Sequence, residues 1–238
     1  MLIHSTRAKH AFHPSALRNF SIEPNEITAT DVETDSLDGL MRFVGAVTSY
    51  PSRTEIVHED EAADRLYKVV SGTVCTYKVL SDGRRQIGSF YLPGDIFGLE
   101  FIEGHNLAAE TVTNVKILVI KKRALAVLAK QSAALASELL QLTARELART
   151  QDRVLLLASK SAQERVIGFL FEMSKRSSGT GNYVELPMSR QDIADYLGLT
   201  IETVSRTLWA LEHSGAIEIS SRRRITMRDR SRLMRLQQ

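Results

Sequence analysis

The position that most constrains how this chain folds is Gly198, which separates two short helical patterns. Residues 189–215 read SRQDIADYLGLTIETVSRTLWALEHSG, with apolar residues at helical spacing on both sides of the glycine. Glycine readily adopts the left-handed conformation that ends a helix and turns the chain. Ser189, followed three residues later by Asp192, is typical of a capped helix start, and Thr200 can cap the second helix. The sequence therefore predicts two helices joined by a tight turn.

The residues after this pair predict a basic wing. AIEIS, a turn at SSRRR, and ITM indicate two short strands over residues 216–227. Residues 161–238 hold 12 Lys or Arg against 9 Asp or Glu, whereas the first 160 residues hold 19 of each. Such a basic edge favours binding to DNA phosphates, and a solvated basic tail is the alternative. Together these features predict a winged helix–turn–helix with double-stranded DNA as its partner.

The second helix carries a polar face whose chemistry suits base edges. Glu202, Ser205 and Arg206 stand at i, i+3 and i+4 and therefore share one side. Arg206 can donate twice to guanine, Glu202 can accept from a cytosine amine, and Ser205 suits either kind of base. Ile201 offers apolar contact to a thymine methyl. We expect these four residues to read DNA; the alternative is that Glu202 and Arg206 only form a surface ion pair.

Residues around that face are expected to contact DNA phosphates, which adds affinity without sequence choice. They are Ser189, Arg190, Thr200, Thr203, Arg222, Arg223 and Arg224.

Ahead of this domain the sequence predicts an α+β arrangement in four parts. Residues 1–35 are polar and indicate an arm with little structure of its own. Residues 36–120 alternate apolar and polar side chains between turn residues, which is typical of an antiparallel β-roll. Residues 121–158 contain no Gly or Pro and predict one long dimerisation helix of about 57 Å. Residues 159–238 form the DNA-binding domain.

The long helix has an uncharged heptad seam that favours a homodimer through a two-stranded coiled coil. The alternative is a helix packed only on its own domain. The seam residues are Ala136, Leu140, Thr143, Leu147, Thr150, Val154 and Leu157.

Several classes of function are disfavoured by composition. The chain has one cysteine, Cys75, and six scattered histidines, so we expect no metal site and no iron–sulfur cluster. We find no apolar run long enough to cross a bilayer and no signal-peptide pattern, and we expect a cytoplasmic protein without a membrane partner. The residues show no nucleophile–base constellation and no His-x-His pair, so an enzyme built on the roll is disfavoured.

The chain resembles the Crp/Fnr superfamily of bacterial transcription regulators over roughly residues 40–230. The motifs that carry the resemblance are FYLPGDIFG in the roll, SKSAQER at the hinge and IETVSR in the second helix. Glu202-x-x-Ser205-Arg206 resembles the Fnr branch and its FixK-type relatives, which read TTGAT-like half-sites. The resemblance implies a cyclic-nucleotide-binding-like roll, a dimer on a palindromic operator, and activation of microaerobic or nitrogen-fixation genes through RNA polymerase.

Departures from the family pattern bear on what controls the protein. Leu99 follows Gly98 where cyclic-nucleotide-binding rolls carry a glutamate, and Leu107 and Ala108 stand where an Arg-Ser or Arg-Thr pair would clamp the phosphate. An unpaired phosphate charge in a buried pocket is costly, so we expect no cAMP and no other cofactor. Two alternatives stay open: a roll that holds heme, through His58 or His105, or another ligand, and a protein that represses transcription.

The turn LSDGRRQ resembles the exposed roll turn with which Fnr-like activators contact RNA polymerase. It contains Asp82, Gly83 and Arg84. An ordinary hairpin tip is an equally open interpretation, because Asp-Gly is itself a common hairpin turn.

Overall fold

The computed structural model describes residues 36–100, 104–176 and 182–237. Eight antiparallel strands form the predicted roll as two four-stranded sheets, with orders β1-β8-β3-β6 and β2-β7-β4-β5. The strands are β1 (Ala46–Tyr50), β2 (Glu55–Val57), β3 (Arg65–Ser71), β4 (Val74–Val79), β5 (Arg85–Tyr91), β6 (Ile96–Phe97), β7 (Ala108–Thr111) and β8 (Val115–Lys121). The expectation of a roll is confirmed.

Alternating side chains build the core of the roll. In β3 the buried residues include Leu66, Tyr67 and Val69, and in β8 Ile117 is fully buried. Tyr67 stacks on Phe97 with 4.8 Å between the ring centroids. Successive side chains of a strand point to opposite faces, so Tyr67, Val69 and Ile117 share one buried cluster, whereas Leu66 faces a second cluster that includes residues of the neighbouring helices.

A helix that sequence reasoning missed precedes the roll. Helix α1 (Leu37–Val44) begins at Ser36, whose side chain accepts a hydrogen bond from the Gly39 amide. Leu40 and Met41 are buried in a cluster with residues of β8 and of the long helix. Eight residues cannot form a stable helix alone, so this packing is what stabilises α1.

The prediction of one unbroken helix over 121–158 is wrong. The structure contains α2 (Lys122–Ala129) and α3 (Ala133–Ser159), separated by residues 130–132. The side chain of Ser132 accepts from the Leu135 amide at 3.2 Å and starts the second helix. Leu125 of α2 and Leu135 of α3 are both buried in one cluster, which favours the break. With 27 residues, α3 is about 40 Å long rather than 57 Å.

The C-terminal part is the predicted winged helix–turn–helix. Its elements are α4 (Ala162–Arg176), β9 (Tyr183–Glu185), α5 (Arg190–Leu197), α6 (Ile201–His213), β10 (Ile217–Ser221), β11 (Arg224–Met227) and α7 (Arg230–Leu236). Strand β9 adds to the wing, giving the order β10-β11-β9. Gly198 has φ +62° and ends α5 as expected. The α+β fold class is confirmed.

The roll packs directly against the winged helix–turn–helix. Phe90 of β5 lies 5.1 Å from the Tyr196 ring and 6.3 Å from the Phe169 ring, measured between centroids. Ile87 and Cys75 are fully buried in the same cluster. This apolar interface fixes the position of α5, and α6 is packed on α5, so the roll helps to orient α6.

Candidate nucleic-acid interface

Helix α6 has one buried face and one exposed polar face. Val204, Leu208 and Leu211 are at most 2% exposed and anchor the helix in the domain core. Glu202 and Arg206 are exposed on another face. This is the amphipathic division that the sequence predicts, and it leaves the polar groups accessible to a ligand outside the protein.

Ser205 is exposed beside these two charges, and Ile201 is partly buried at the start of α6. Thr200 caps the helix by accepting from the Thr203 amide at 3.2 Å. Hydrogen bonds from its own amide and from the Thr200 side chain lower the pKa of Glu202, and the charge of Arg206 acts in the same direction. Glu202 is thus held as a carboxylate that only accepts hydrogen bonds, which suits an amine donor such as that of cytosine.

The tip of the wing presents exposed arginines. Arg222 and Arg223 are exposed between β10 and β11. Arg224 is exposed too, but it pairs with Glu185 at 2.5 Å and lies over the Tyr183 ring. A phosphate that binds Arg224 must compete with Glu185.

Side chains at the start of α5 already make hydrogen bonds within the protein, which the sequence alone does not show. The Ser189 hydroxyl donates to Asp192 at 2.6 Å and accepts from the Asp192 amide at 3.1 Å, completing a capping box. Arg190 is partly buried, and burial lowers the pKa of its guanidinium. Thr203 exchanges a hydrogen bond with the Thr200 hydroxyl at 3.1 Å. These groups lie beside the polar face, but several of their side-chain hydrogen bonds are already made.

Asp192 has a second role that sequence reasoning did not find. Its side chain is 2% exposed and accepts from Arg85 at 3.0 Å and from Arg53 at 3.4 Å. Burial acts to raise the pKa of Asp192, but the Ser189 hydrogen bonds, the charge of Arg53 and the hydrogen bond from Arg85 outweigh burial and lower it. Arg85 also donates to Glu110 at 3.4 Å. Four charged groups therefore join the roll to the start of α5.

Further hydrogen bonds join the roll to the end of α5. Gln86 donates to the Asp195 carbonyl at 2.6 Å. Arg153 of α3 donates to the carbonyls of Ile87 and Tyr196, and its guanidinium lies 4.3 Å from the centre of the Tyr196 ring. Helix α3, the roll and α5 therefore share one polar contact region.

In the roll, Leu107 lies where the resemblance places a phosphate clamp. A Cβ atom at Gly88 would lie 2.6 Å from Leu107 Cδ1 and 2.9 Å from the Thr76 hydroxyl. The side chain of Leu107 therefore lies against the β5 backbone in the roll. Ala108 is buried beside it.

The two histidines weighed as heme ligands differ in their surroundings. His58 is exposed and pairs with Glu55, whereas the His105 side chain is 4% exposed and lies 3.4 Å from Glu100. Within the described residues, no three His, Cys, Asp or Glu side chains are grouped as a metal site would require. In the same part of the chain, no helix is long and apolar enough to span a bilayer.

The predicted seam forms a stripe along α3. Leu140, Leu147 and Val154 are 71%, 59% and 59% exposed. Thr143 and Thr150 each donate their hydroxyl at 2.9 Å to the carbonyl four residues earlier. Because these hydroxyls are satisfied within the helix, the two threonines add little polarity to the stripe. Ala136 is exposed on the same stripe, and Leu157 is partly buried at its end.

The hairpin tip between β4 and β5 is exposed. Asp82 accepts from the Arg84 amide at 3.0 Å and from Arg84 Nε at 2.7 Å, and Gly83 has φ +83°. The positive φ explains the glycine. Arg85, which binds Asp192, follows directly in the chain.

Comparison with known families agrees with this architecture. Residues 47–132 match the model of the cyclic nucleotide-binding domain, and residues 164–236 match the Crp-like helix-turn-helix domain. The break between the two matches contains α3.

Relatives of known role cover most of the chain. The nitrogen fixation regulation protein FixK of Azorhizobium caulinodans is 46% identical over 197 residues, which are 81% of this chain and 79% of that protein. FixK of Rhizobium meliloti is 40% identical over 75% of this chain and 81% of its own length. The structure of FixK2 from Bradyrhizobium japonicum matches with a TM-score of 0.79 and 47% identity, over 82% of this chain and 98% of that one.

The TM-score shows that FixK2 shares the fold of this chain. The two FixK proteins are regulators by name, and the helix-turn-helix match of this chain is typical of a DNA-binding regulator. The chain belongs to the Crp/Fnr family of DNA-binding transcription regulators and is a FixK-type member of it.

Proposed function

We propose that the protein is a homodimeric activator that binds TTGAT-N4-ATCAA-like palindromes without a bound cofactor. The observation that carries the proposal is the exposed face of α6, where Glu202, Ser205 and Arg206 lie together. A buried face anchors the helix, and its N-terminal residues are those that a helix–turn–helix presents to base edges.

Base choice follows from hydrogen-bond chemistry. Arg206 supplies two donors for guanine N7 and O6, and the ionised Glu202 accepts from a cytosine amine and repels bases that present only acceptors. The partly buried Ile201 offers its methyl groups to a thymine. A half-site with G and C on opposite strands beside thymines satisfies these three side chains.

Phosphate binding is assigned to the wing and to the helix starts. Arg222 and Arg223 are exposed at the wing tip and supply positive charge there. Arg224 binds a phosphate in exchange for Glu185. The helix dipoles at the starts of α5 and α6 favour an anion, although the capping box already satisfies the Ser189 and Asp192 amides of α5.

The stripe on α3 is assigned to the dimer interface. Three large apolar side chains exposed at seven-residue spacing, Leu140, Leu147 and Val154, would be costly in water. A second copy of α3 buries them as a coiled coil and carries no like charges into the seam. Two protomers then present two α6 helices, which suits a palindrome.

Activity without a small ligand is supported by the roll. Leu107 lies against the β5 backbone, and Leu99 stands where a ribose-binding glutamate would be. Neither side chain can pair a phosphate or a ribose hydroxyl. The single cysteine, Cys75, excludes a cluster held by several thiolates of one chain.

The regulated genes are proposed from the relatives. The two FixK proteins carry nitrogen fixation regulation in their names, and a further relative, 31% identical, is the anaerobic regulatory protein of Haemophilus influenzae. We assign microaerobic and nitrogen-fixation genes to this protein. Asp82, Gly83 and Arg84 form the surface proposed for RNA polymerase.

The test of the proposed DNA reading separates base contacts from phosphate contacts. Replacing Arg206 with Ala should weaken binding to TTGAT sites by about tenfold to a hundredfold and abolish the preference at the guanine. Replacing Arg222 with Ala should weaken binding to all duplexes equally and lower the salt slope by about one. If the Arg206 variant keeps full selectivity at guanine, the assignment of α6 is wrong.

A further inference from the structure

The exposed face of α6 carries a large side chain that the proposed base contacts do not use. Trp209 is the only tryptophan of the chain and is 62% exposed. Its ring stacks on the His213 imidazole, with 5.1 Å between centroids and 10° between planes. Helix α6 already buries Val204, Leu208 and Leu211, so the indole is not needed for its core.

Helical spacing places Trp209 on the side that reads DNA. It follows Glu202 by seven residues and Arg206 by three, so the three side chains share one face. Along the helix axis the backbone of Trp209 lies about 4.5 Å beyond that of Arg206, and the backbone of His213 lies about 10.5 Å beyond that of Arg206. A helix–turn–helix contacts base edges with the N-terminal residues of its second helix, and residues farther along that helix lie beyond the base contacts. When Glu202 and Arg206 reach base edges, Trp209 therefore meets the groove wall, where the sugar–phosphate backbone runs.

The chemistry of the indole suits that wall. Its Nε1–H is a donor and not an acceptor, which matches a phosphate oxygen, and its ring gives apolar contact to a deoxyribose. Stacking on His213 restricts the ring before binding, which lowers the entropy lost when the contact forms.

We propose that Trp209, held by His213, is a DNA-backbone contact that fixes how deeply α6 enters the major groove. The inference rests on the proposed function, since it takes α6 to be the recognition helix. The indole would be an uncharged contact to the DNA backbone. The contacts assigned to the wing, in comparison, are made by arginines.

Because the chain has one tryptophan, its fluorescence reports on this contact directly. Full-length protein is titrated with an unlabelled TTGAT-N4-ATCAA duplex while tryptophan emission and acrylamide quenching are followed. A labelled copy of the same duplex gives the affinity by anisotropy in parallel. We expect the emission to change with the same midpoint as the anisotropy and the indole to become protected from acrylamide.

Two substitutions test the energetics. Trp209→Ala should weaken binding about tenfold, and Trp209→Phe, which keeps a ring but removes the N–H, about threefold. Each variant should lose the same factor of affinity for every half-site sequence. The salt dependence of binding should stay unchanged because no charge is lost. This pattern differs from that of an arginine contact.

A control variant tests whether the change in emission is specific to a tryptophan at position 209. Phe43 is 52% exposed on α1, in a different part of the chain. In a Trp209→Phe background, Phe43→Trp moves the only tryptophan there, and its emission should not respond to DNA. A response equal to that of Trp209 would show a global effect and overturn the assignment.

The outcomes separate the inference from the proposed function. If the protein binds the duplex but Trp209 emission and the affinities of both Trp209 variants do not change, the backbone contact is wrong and the base reading stands. If the emission of Trp209 changes when another protein is added but not when DNA is added, the proposed contact to the DNA backbone is also wrong. If the wild-type protein binds no duplex selectively, the proposed function and the inference fail together.

Discussion

Arg85 of the roll donates to the buried carboxylate of Asp192 at 3.0 Å, across 107 residues of sequence. Asp192 also completes the capping box at the start of α5 with Ser189. One carboxylate therefore fixes both the local start of a helix and the position of that helix on the roll. Because α6 packs on α5, this pair helps to hold the exposed polar face of α6 in position.

Removing Arg85 should destabilise the fold more than removing its exposed neighbour. Arg85→Ala leaves Asp192 buried with Arg53 as its remaining charged partner among the described residues. The free energy of unfolding should therefore fall by about 2 kcal/mol. Arg84→Ala breaks an exposed pair with Asp82 and should cost less than about 0.5 kcal/mol. Chemical denaturation at equal protein concentration measures both. Equal losses in the two variants would contradict a structural role for the Arg85–Asp192 pair.

The same pair predicts a dependence on pH. The pKa of Asp192 lies below its ordinary value of 3.8, so its charged form stabilises the folded state. That stabilisation is complete above the unfolded pKa and is lost as pH falls from about 4 through the folded pKa. The difference in unfolding free energy between wild type and Asp192→Asn should be constant from about pH 7 to pH 5 and should shrink below about pH 4. A difference that grows on acidification would reverse the assigned sign.

The α3 stripe predicts which leucine controls association. Leu147 is 59% exposed on the seam, and Leu155 is 64% exposed one position away from the seam residue Val154. Leu147→Glu places two carboxylates against each other in a dimer and should give monomers in sedimentation at micromolar protein, with loss of palindrome binding. Leu155→Glu is the matched control and should remain dimeric. If both variants dissociate alike, or neither does, the proposed seam is wrong.

Cys75 should behave as an inert thiol. It is fully buried, and burial raises the pKa of its thiol to about 12, although Arg85 lies 3.2 Å from the sulfur. Thiolate is the reactive form, so a thiol reagent should label the native protein far more slowly than the unfolded protein. Cys75→Ser should bind the TTGAT duplex with unchanged selectivity under air. Rapid stoichiometric labelling of the native protein would contradict this account.

The features that the sequence predicts correctly depend on residues close to one another in the chain. Gly198, the caps at Ser189 and Thr200, and the alternation in the roll all act within a few residues, and each is found where it was expected. The sequence does not predict the break at residues 130–132 because no Gly or Pro marks it and Ser132 stands inside an Ala- and Leu-rich run. The joint burial of Leu125 and Leu135, which belong to different helices, favours the break together with the Ser132 cap.

Contacts between residues far apart in the chain could not be predicted, because they leave no local pattern in the sequence. Helix α1 depends on burial of Met41 against residues far along the chain. The capping-box pattern identified Asp192 as a local partner of Ser189, but nothing in the neighbouring sequence indicates Arg53 or Arg85. Such pairs are set by how the roll and α5 meet, which the sequence does not encode as a spacing.

The proposed function is that this chain reads TTGAT palindromes as a dimer without a ligand. Its most direct test is binding of freshly purified protein, with no additives, to a TTGAT-N4-ATCAA duplex across a salt series, beside a TGTGA palindrome and a random duplex. We expect two protomers per duplex, selectivity for TTGAT at every salt concentration, and affinity that falls steeply with salt. Weak binding that does not distinguish the three duplexes would contradict the claim.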